Sequence, residues 1–457
     1  MSPYKELEEL KQQFRKLEEE NLKLKEENAY LKFELKELKD RVYGGRKRKD
    51  PLQPPQIQVH PKKKGAFFGH LGWFRKKPEQ IDKIVEVRLK LCPVCGGEDL
   101  KICAGIKTHL QEDIIPARSV VYLYRKRRYY CRACRKVVTG IGEGEQSRGR
   151  IGPLAKTLAA YLKYQVKVSD RDIHKIFSDL FGLNFTVGAV LGFRNQLRRR
   201  LEPVYENLVR RIRRSRYVHA DETGWKMSGQ SHWLWSFSNK KTAICHIDKS
   251  RGGKVPGAIL GKTYKGTLIT DFYAAYNKTV SGAKQRCLVH LLRDIKHVQE
   301  CLVDDPTTQR FCKRLKTLVF GSVALAGKHK TMNLADYAAR RKRLLESFED
   351  LKLTDPANKI VQRFVKRLDR HRNECLTFLD NPDISWNNNH AERMIRPNVL
   401  LRKISFGNRS LEGLKNHNVL MSVIQTAKLN HLDPLKNLRE LLQTFARPKT
   451  LAALSPP

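Results

Sequence analysis

YVHADETGW, residues 217–225, alternates in polarity as a strand does and places an acid, Asp221, near the strand's expected end. Side chains on a strand point to opposite faces in turn, so the neighbouring Glu222 must face away from Asp221. Two further runs, HWLWSFSN (232–239) and TAICHIDKS (242–250), read as strands joined by a tight NKK turn. GTLITDFYAAY, 266–276, is another apolar strand ending in an acid, Asp271. This part of the chain therefore predicts a mixed sheet. Two of its strands deliver one carboxylate each near the C-terminal end, where ligands gather in α/β sheets.

Each acid alone has a bland reading as a turn residue or helix cap. A third acid changes that. NNNHAERMIRP, 387–397, predicts a helix over 386–396 on which Asn388, Glu392 and Arg396 share one face. Met394 and Ile395 turn to another face suited to packing on the sheet, and Pro397 is expected to end or kink the helix. Laid against the sheet, this helix brings Glu392 toward Asp221 and Asp271. Three converging carboxylates repel one another unless a hard divalent cation, usually Mg²⁺ (or Mn²⁺), neutralises them. A pair of such ions about 3.5–4 Å apart activates the attacking oxygen and stabilises the leaving one in phosphodiester cleavage. Arg393, Arg396, Arg402 and Lys403 are then the expected DNA phosphate contacts.

The composition agrees. The 457 residues carry 90 Lys and Arg against 47 acids, a formal charge of +43. Such a charge concentrates polyanions, and nucleic acid is the expected partner. Apolar residues make up 40%, enough for a core. No secretory signal opens the sequence, and the longest apolar run, TLVFGSVALAG (317–327), falls far short of the ~20 residues that span a bilayer. Ten cysteines in a chain of this length do not make a secreted disulfide scaffold. A cytoplasmic, nucleoid-associated protein with no membrane role is expected.

Working toward the N-terminus, residues 150–214 read as helical. Ser169 and Thr186 are expected N-caps and Gly182 a helix stop, giving two capped helices, the second ending basic. That pattern fits a DNA-binding helix-turn-helix or a plain helical bundle. CPVC and CRAC place Cys92, Cys95, Cys131 and Cys134 as two thiolate pairs, with VVYLYRKRRYYC (120–131) running as a strand into the second. Paired CxxC spacing predicts a zinc ribbon over 86–140, its Zn²⁺ structural because four protein ligands leave no open position. Cys103 and His109 are bystanders. Residues 44–85 form a basic, Pro-rich linker, in which Trp73 and Phe74 read either as a nucleic-acid contact or as a packed turn. Leu10, Leu17, Leu24, Leu31 and Leu38 repeat every seven residues, with Leu7, Phe14, Asn21, Asn28 and Leu35 three residues before each. This is a coiled-coil seam over 1–43 that predicts a homodimer or higher oligomer.

HADETGW, TDFYAAY, NNNHAERMIRP and TAKLNHLDP resemble the signature blocks of the insertion-sequence-66 family of DDE transposases. The order of parts resembles that family too. The resemblance implies a multidomain α/β protein with a ribonuclease-H-like catalytic core over 215–430, followed by a C-terminal helix and tail (431–457). It implies Asp221, Asp271 and Glu392 as the catalytic, Mg²⁺-holding triad. The implied reaction is metal-dependent cleavage at the ends of a mobile element, freeing 3′ hydroxyls that attack target DNA. Partners of this kind are the element's terminal repeats, the target DNA and accessory proteins of the same element. The gap from Asp271 to Glu392 is more than twice that from Asp221 to Asp271, which predicts a helical insertion over about 292–380. In RCLVHLLRDIKH (286–297), Cys287 and His290 are two ligands without a site, so packing is expected of them, with His290 open to a phosphate. Trp225 and Trp235 are expected in the core. The alternative to an enzyme is an inactive or domesticated dimeric DNA-binding protein that keeps its core as a scaffold.

Overall fold

The computed structural model describes residues 117–139, 149–352 and 359–446, with single positions within 12–35, 80–108 and 142–145. By internal packing the chain divides into two units, Met1–Lys39 with Ala117–Pro457, and Asp40–Pro116. The described positions of the second unit are neither helix nor strand. Most of the linker, with the aromatic pair Trp73 and Phe74, as well as Cys92, Cys95 and the tail beyond 446, lie outside the described residues, as does part of the heptad seam. The described seam positions are helical, and Phe14, Leu17, Leu24, Leu31 and Leu35 are more than half exposed.

Strands β1 (Arg128–Cys131) and β2 (Lys136–Thr139) form an antiparallel hairpin whose turn contains Cys134. Helix α1 (Pro153–Tyr161) continues through one wide turn, Leu162–Val166, and stops at Lys167 in the left-handed region. Helix α2 (Asp170–Phe181) starts where Ser169 Oγ accepts the Asp172 N–H and ends at left-handed Gly182. Helix α3 (Val187–Arg213) starts where Thr186 Oγ1 accepts from Ala189. These side-chain oxygens satisfy amides that have no partner inside the helix. Ile173, Phe177, Val190 and Phe193 pack the first part of α3 onto α2.

The sheet follows: β3 (Tyr217–Met227), β4 (Gln230–Ser238) and β5 (Ala243–Asp248) are antiparallel. Ser228 and Gly229, both at positive φ, form the two-residue turn from β3 to β4 that suits a twisted hairpin. Asn239 Oδ1 accepts the Lys241 and Thr242 amides and closes the next turn. After helix α4 (Lys254–Leu260), β6 (Thr267–Thr270) and β7 (Ala283–Arg286) run parallel to β3, giving the order β5-β4-β3-β6-β7. The protein is therefore mixed α/β.

Asp221 does not end its strand. β3 runs on to Met227 because β4 pairs with it throughout, from His219↔Ser238 to Met227↔Gln230. What ends nearby is the parallel pairing with β6, whose last pair is His219↔Ile269. Asp221 therefore stands just past the parallel part of the sheet, and Asp271 stands just past the end of β6.

Among the described residues, five α-helices lie between β7 and the return to the sheet: α5 (Leu288–Cys301), α6 (Pro306–Gly327), α7 (Leu334–Lys352), α8 (Lys359–Arg370) and the single turn α9 (Arg372–Cys375). They share a core that includes Leu291, Phe311, Leu315, Phe364 and Leu368. The chain returns to the sheet as α10 (Asn389–Ser405), α11 (Leu411–Leu429) and α12 (Pro434–Ala446). Pro397 does not end its helix; α10 continues to Ser405. The missing N–H takes away the helical donor to the Arg393 carbonyl, while buried Ile395, Asn398 and Leu401 hold the helix in place. The neighbouring Met394 carbonyl receives the side-chain amides of Asn398 and Gln425.

Helix α11 closes the outer edge of β5. Thr426, Ser422 and Asn418, one helical turn apart, accept the backbone N–H groups of Ala243, Cys245 and Ile247. At the opposite edge, Thr377 Oγ1 donates to the Lys284 carbonyl. Both edges are thereby withdrawn from pairing with other chains. Among the described residues, no helix is long and apolar enough to cross a membrane.

Candidate active site

The amide of Asn388, just before α10, ties that helix to β3. Its Nδ2 donates to the Ala220 carbonyl at 2.8 Å, and its Oδ1 faces His219 Nδ1 at 3.0 Å. With the oxygen on that side, His219 Nδ1 is the donor. Burial, then the neighbouring His390, push the His219 imidazole down to about 4, so the ring is neutral. The Asn388 backbone N–H also meets Cys287 Sγ at 3.1 Å. Cys287 is fully buried and starts α5. One residue thus fixes the relation of β3, α5 and α10 beside Asp221.

Asp221 is largely buried. Burial, then Glu222, Asp271 and Glu392, push its carboxyl up to about 8. A contact that offsets this is the Glu222 N–H, donated to Asp221 Oδ1 at 3.0 Å. The carboxylates singled out in the sequence are thus electrostatic neighbours of Asp221, and Glu222 joins them. Asp271 Oδ1 accepts the Tyr273 N–H at 2.9 Å, a turn that fixes its rotamer. Glu392 sits on the first turn of α10. His290 Nε2 and the Arg293 guanidinium of α5 each approach its carboxylate to 3.8 Å. Its Oε1 and the His290 Nδ1 are buried without a hydrogen-bond partner. Among the described residues, no three His, Cys, Asp or Glu side chains are gathered closely enough to form a ready cation cage.

Glu222 faces a different set of groups. Its side chain is 2% exposed and accepts from Tyr276 Oη at 2.7 Å and Arg251 at 3.1 Å. Arg251 lies between the rings of Trp233 and Tyr273, 4.3 and 4.1 Å from their centroids. Burial, then the Asp271 charge, hold the Glu222 carboxyl above its ordinary range, against the Tyr276 hydrogen bond and Arg251, which pull it down. The sequence reading missed this cluster. Its local signal was the two tyrosines of TDFYAAY, Tyr273 and Tyr276, and their partners are distant along the chain.

The expected phosphate contacts divide. Arg393, Arg396 and Lys403 are exposed on α10. Arg402 is half-buried and donates to Thr223 Oγ1 and to the Gly224 carbonyl, so it holds β3. Trp225 and Trp235 are buried. Away from the sheet, Cys131 ends β1 and Cys134 lies in the following turn. The N–H groups of Cys134 and Ala133 and the Cys134 thiol face the Cys131 sulfur and lower its thiol pKa.

The pattern of the transposase IS66 family matches residues 148–416, from α1 into the first turns of α11. The chain is also similar to two proteins of Sinorhizobium fredii. The uncharacterized protein y4jD is 24% identical over 420 residues, covering 83% of this chain and 80% of its own. The uncharacterized protein y4qI is 22% identical over 428 residues, covering 85% of this chain and 75% of its own. The matched region contains β3, β6 and the first turns of α10, with the acids they carry. The chain belongs to the IS66 family of transposases.

Proposed function

We propose that the protein is a DDE transposase that binds the ends of a mobile DNA element and carries out metal-dependent strand cleavage and strand transfer. The observation that carries this reading is geometric: Asp221 and Asp271 stand just past the parallel pairing of β3 with β6, Asn388 ties the helix of Glu392 to β3, and the charges of Glu222, Asp271 and Glu392 all bear on Asp221. Such mutual repulsion is what a bound divalent cation relieves. Glu392 Oε1 fits the same role, being a buried acceptor that receives no hydrogen bond and has only His290 Nε2 at 3.8 Å. Asp221, Asp271 and Glu392 would hold Mg²⁺ or Mn²⁺, which would activate the attacking oxygen and stabilise the leaving one. The protein's own groups position the acids: Asn388 aligns α10 with β3, and the Tyr273 amide orients Asp271. The strand order, an antiparallel trio followed by two parallel strands, supports a ribonuclease-H-like core with the helical insertion between β7 and α10.

The same reading assigns the exposed Arg393, Arg396 and Lys403 to DNA phosphates. It makes Cys131 and Cys134 one half of a structural Zn²⁺ site completed by Cys92 and Cys95, with α2 and α3 in a DNA-binding helical region. It makes residues 1–43 a dimerisation coil, and removing them is expected to yield a monomer by light scattering. An unchanged dimer would refute that assignment.

Asp221→Ala, Asp271→Ala and Glu392→Ala are each expected to lower Mg²⁺-dependent nicking of end-bearing plasmid by about 100-fold or more, with DNA affinity nearly unchanged. A variant that nicks at the parent rate leaves the triad. A second reading, a non-catalytic dimeric DNA-binding protein, is favoured by one observation: no ready cation cage exists among the described residues. Metal titration separates the two, because only the enzyme requires Mg²⁺ or Mn²⁺ for product.

A further inference from the structure

Arg286, the last residue of β7, is completely buried. Its guanidinium fork is nearly saturated. Nη1 donates to the Asp271 carbonyl at 2.8 Å and to Thr270 Oγ1 at 3.2 Å. Nη2 donates to Asn277 Oδ1 at 2.7 Å, and Nε to Glu374 Oε2 at 2.7 Å. Thr270, Asp271 and Asn277 begin and end the loop that leaves β6, so three of these bonds grip the segment that presents Asp271. The fourth reaches α9, within the helices between β7 and α10.

The same helices hold the loop a second way. Phe272, next to Asp271, has the Arg367 guanidinium of α8 4.8 Å from its ring centroid and the His371 ring edge-on at 5.5 Å. His371 Nδ1 lies 2.8 Å from Glu374 Oε2, so both grips converge on Glu374. Burial alone would raise the Glu374 carboxyl, but the His371 hydrogen bond and the Arg286 charge bring it down to about 2. The pair is therefore ionised.

A buried ion pair is a poor source of stability, since apolar groups of the same volume often serve as well. A planar, four-bonded fork instead fixes direction. Metal-binding side chains depend on such outer contacts for their orientation.

We propose that Arg286 and Glu374 are positioning residues that set Asp271 for cation binding, so that the helical insertion governs the geometry of the cleavage centre. This rests on the assignment of Asp271 to the triad.

The test uses the full chain carrying Arg286→Lys, Glu374→Gln, or the apolar pair Arg286→Met with Glu374→Leu. The readouts are Mn²⁺ binding by calorimetry, plasmid nicking against Mn²⁺ concentration, DNA affinity and melting temperature. Each variant that melts near the parent is expected to bind Mn²⁺ about 10-fold more weakly, as loss of an outer-shell partner does. The Mn²⁺ concentration for half-maximal nicking should rise in step, with DNA affinity unchanged. Folded variants that keep parent Mn²⁺ binding overturn the inference. If the apolar pair does not fold, the two conservative variants decide alone. Asp271→Asn separates the two levels. If it nicks at the parent rate, the triad assignment has failed. If it is inactive while the Arg286 and Glu374 variants bind Mn²⁺ normally, only the positioning role has failed.

Discussion

Asp221 shows how one residue can register the state of a whole site. Its folded carboxyl is raised to about 8 against an ordinary value of 3.8, chiefly by burial. A raised carboxyl favours the folded state below its unfolded pKa, and that contribution fades as pH rises through the folded value. The metal-free protein should therefore lose stability between about pH 4 and pH 8 in proportion to this group. Asp221→Asn should flatten that slope and raise the melting temperature at pH 8 by several degrees, on the scale of about 2–4 °C per kcal/mol. Differential scanning fluorimetry across the range reads this directly, and an unchanged slope in the variant removes Asp221 as its source. At this scale the sequence was informative about identities and poor about partners. Asp221 and Asp271 were legible because strand alternation and an acid after an apolar run are local patterns. The Glu222–Tyr276–Arg251 cluster and the attachment of Arg402 to β3 were not, because each joins side chains that meet only once the sheet and helices have assembled.

At the scale of elements, the caps Ser169 and Thr186 and the stop at Gly182 could be read because their hydrogen bonds close within three to five residues. The end of α10 could not. Pro397 removes a local bond, but burial of Ile395, Asn398 and Leu401 keeps the helix intact beyond it, a tertiary effect invisible to local rules. Helix α11 carries a related lesson. Its buried face is polar at Asn418, Ser422 and Thr426, which local reading would not assign to an interior position. Each instead supplies an acceptor to the otherwise open edge of β5. Ser422→Val should then cost about 1–3 kcal/mol in chemical denaturation, because it strands the buried Cys245 N–H. A loss below about 0.5 kcal/mol would mean that this amide finds another acceptor. On the same helix, buried His417 is pressed down to about 3 by burial and by Lys163 and Arg194. A lowered histidine supports the fold above its ordinary pKa of 6.5, and this support is lost as pH falls toward 3.

For the whole molecule, the charge of +43 and the family membership point to the same partner, DNA. The architecture makes Asp221, Glu222, Asp271 and Glu392 electrostatic neighbours inside a very basic chain. On the proposed function, the basic residues would recruit a polyanion and these acids would take up a cation. The helices between β7 and α10 reach back to the loop that carries Asp271, through Glu374 on Arg286 and Arg367 on Phe272. The central claim is that Asp221, Asp271 and Glu392 together bind the catalytic divalent ion. The most direct measurement is anomalous diffraction from crystals of the protein soaked in Mn²⁺. The account predicts a peak coordinated by Asp221 and Asp271, with Glu392 turned from His290 and Arg293 to join them. A peak elsewhere, or none at saturating Mn²⁺ in protein that nicks DNA, would contradict it.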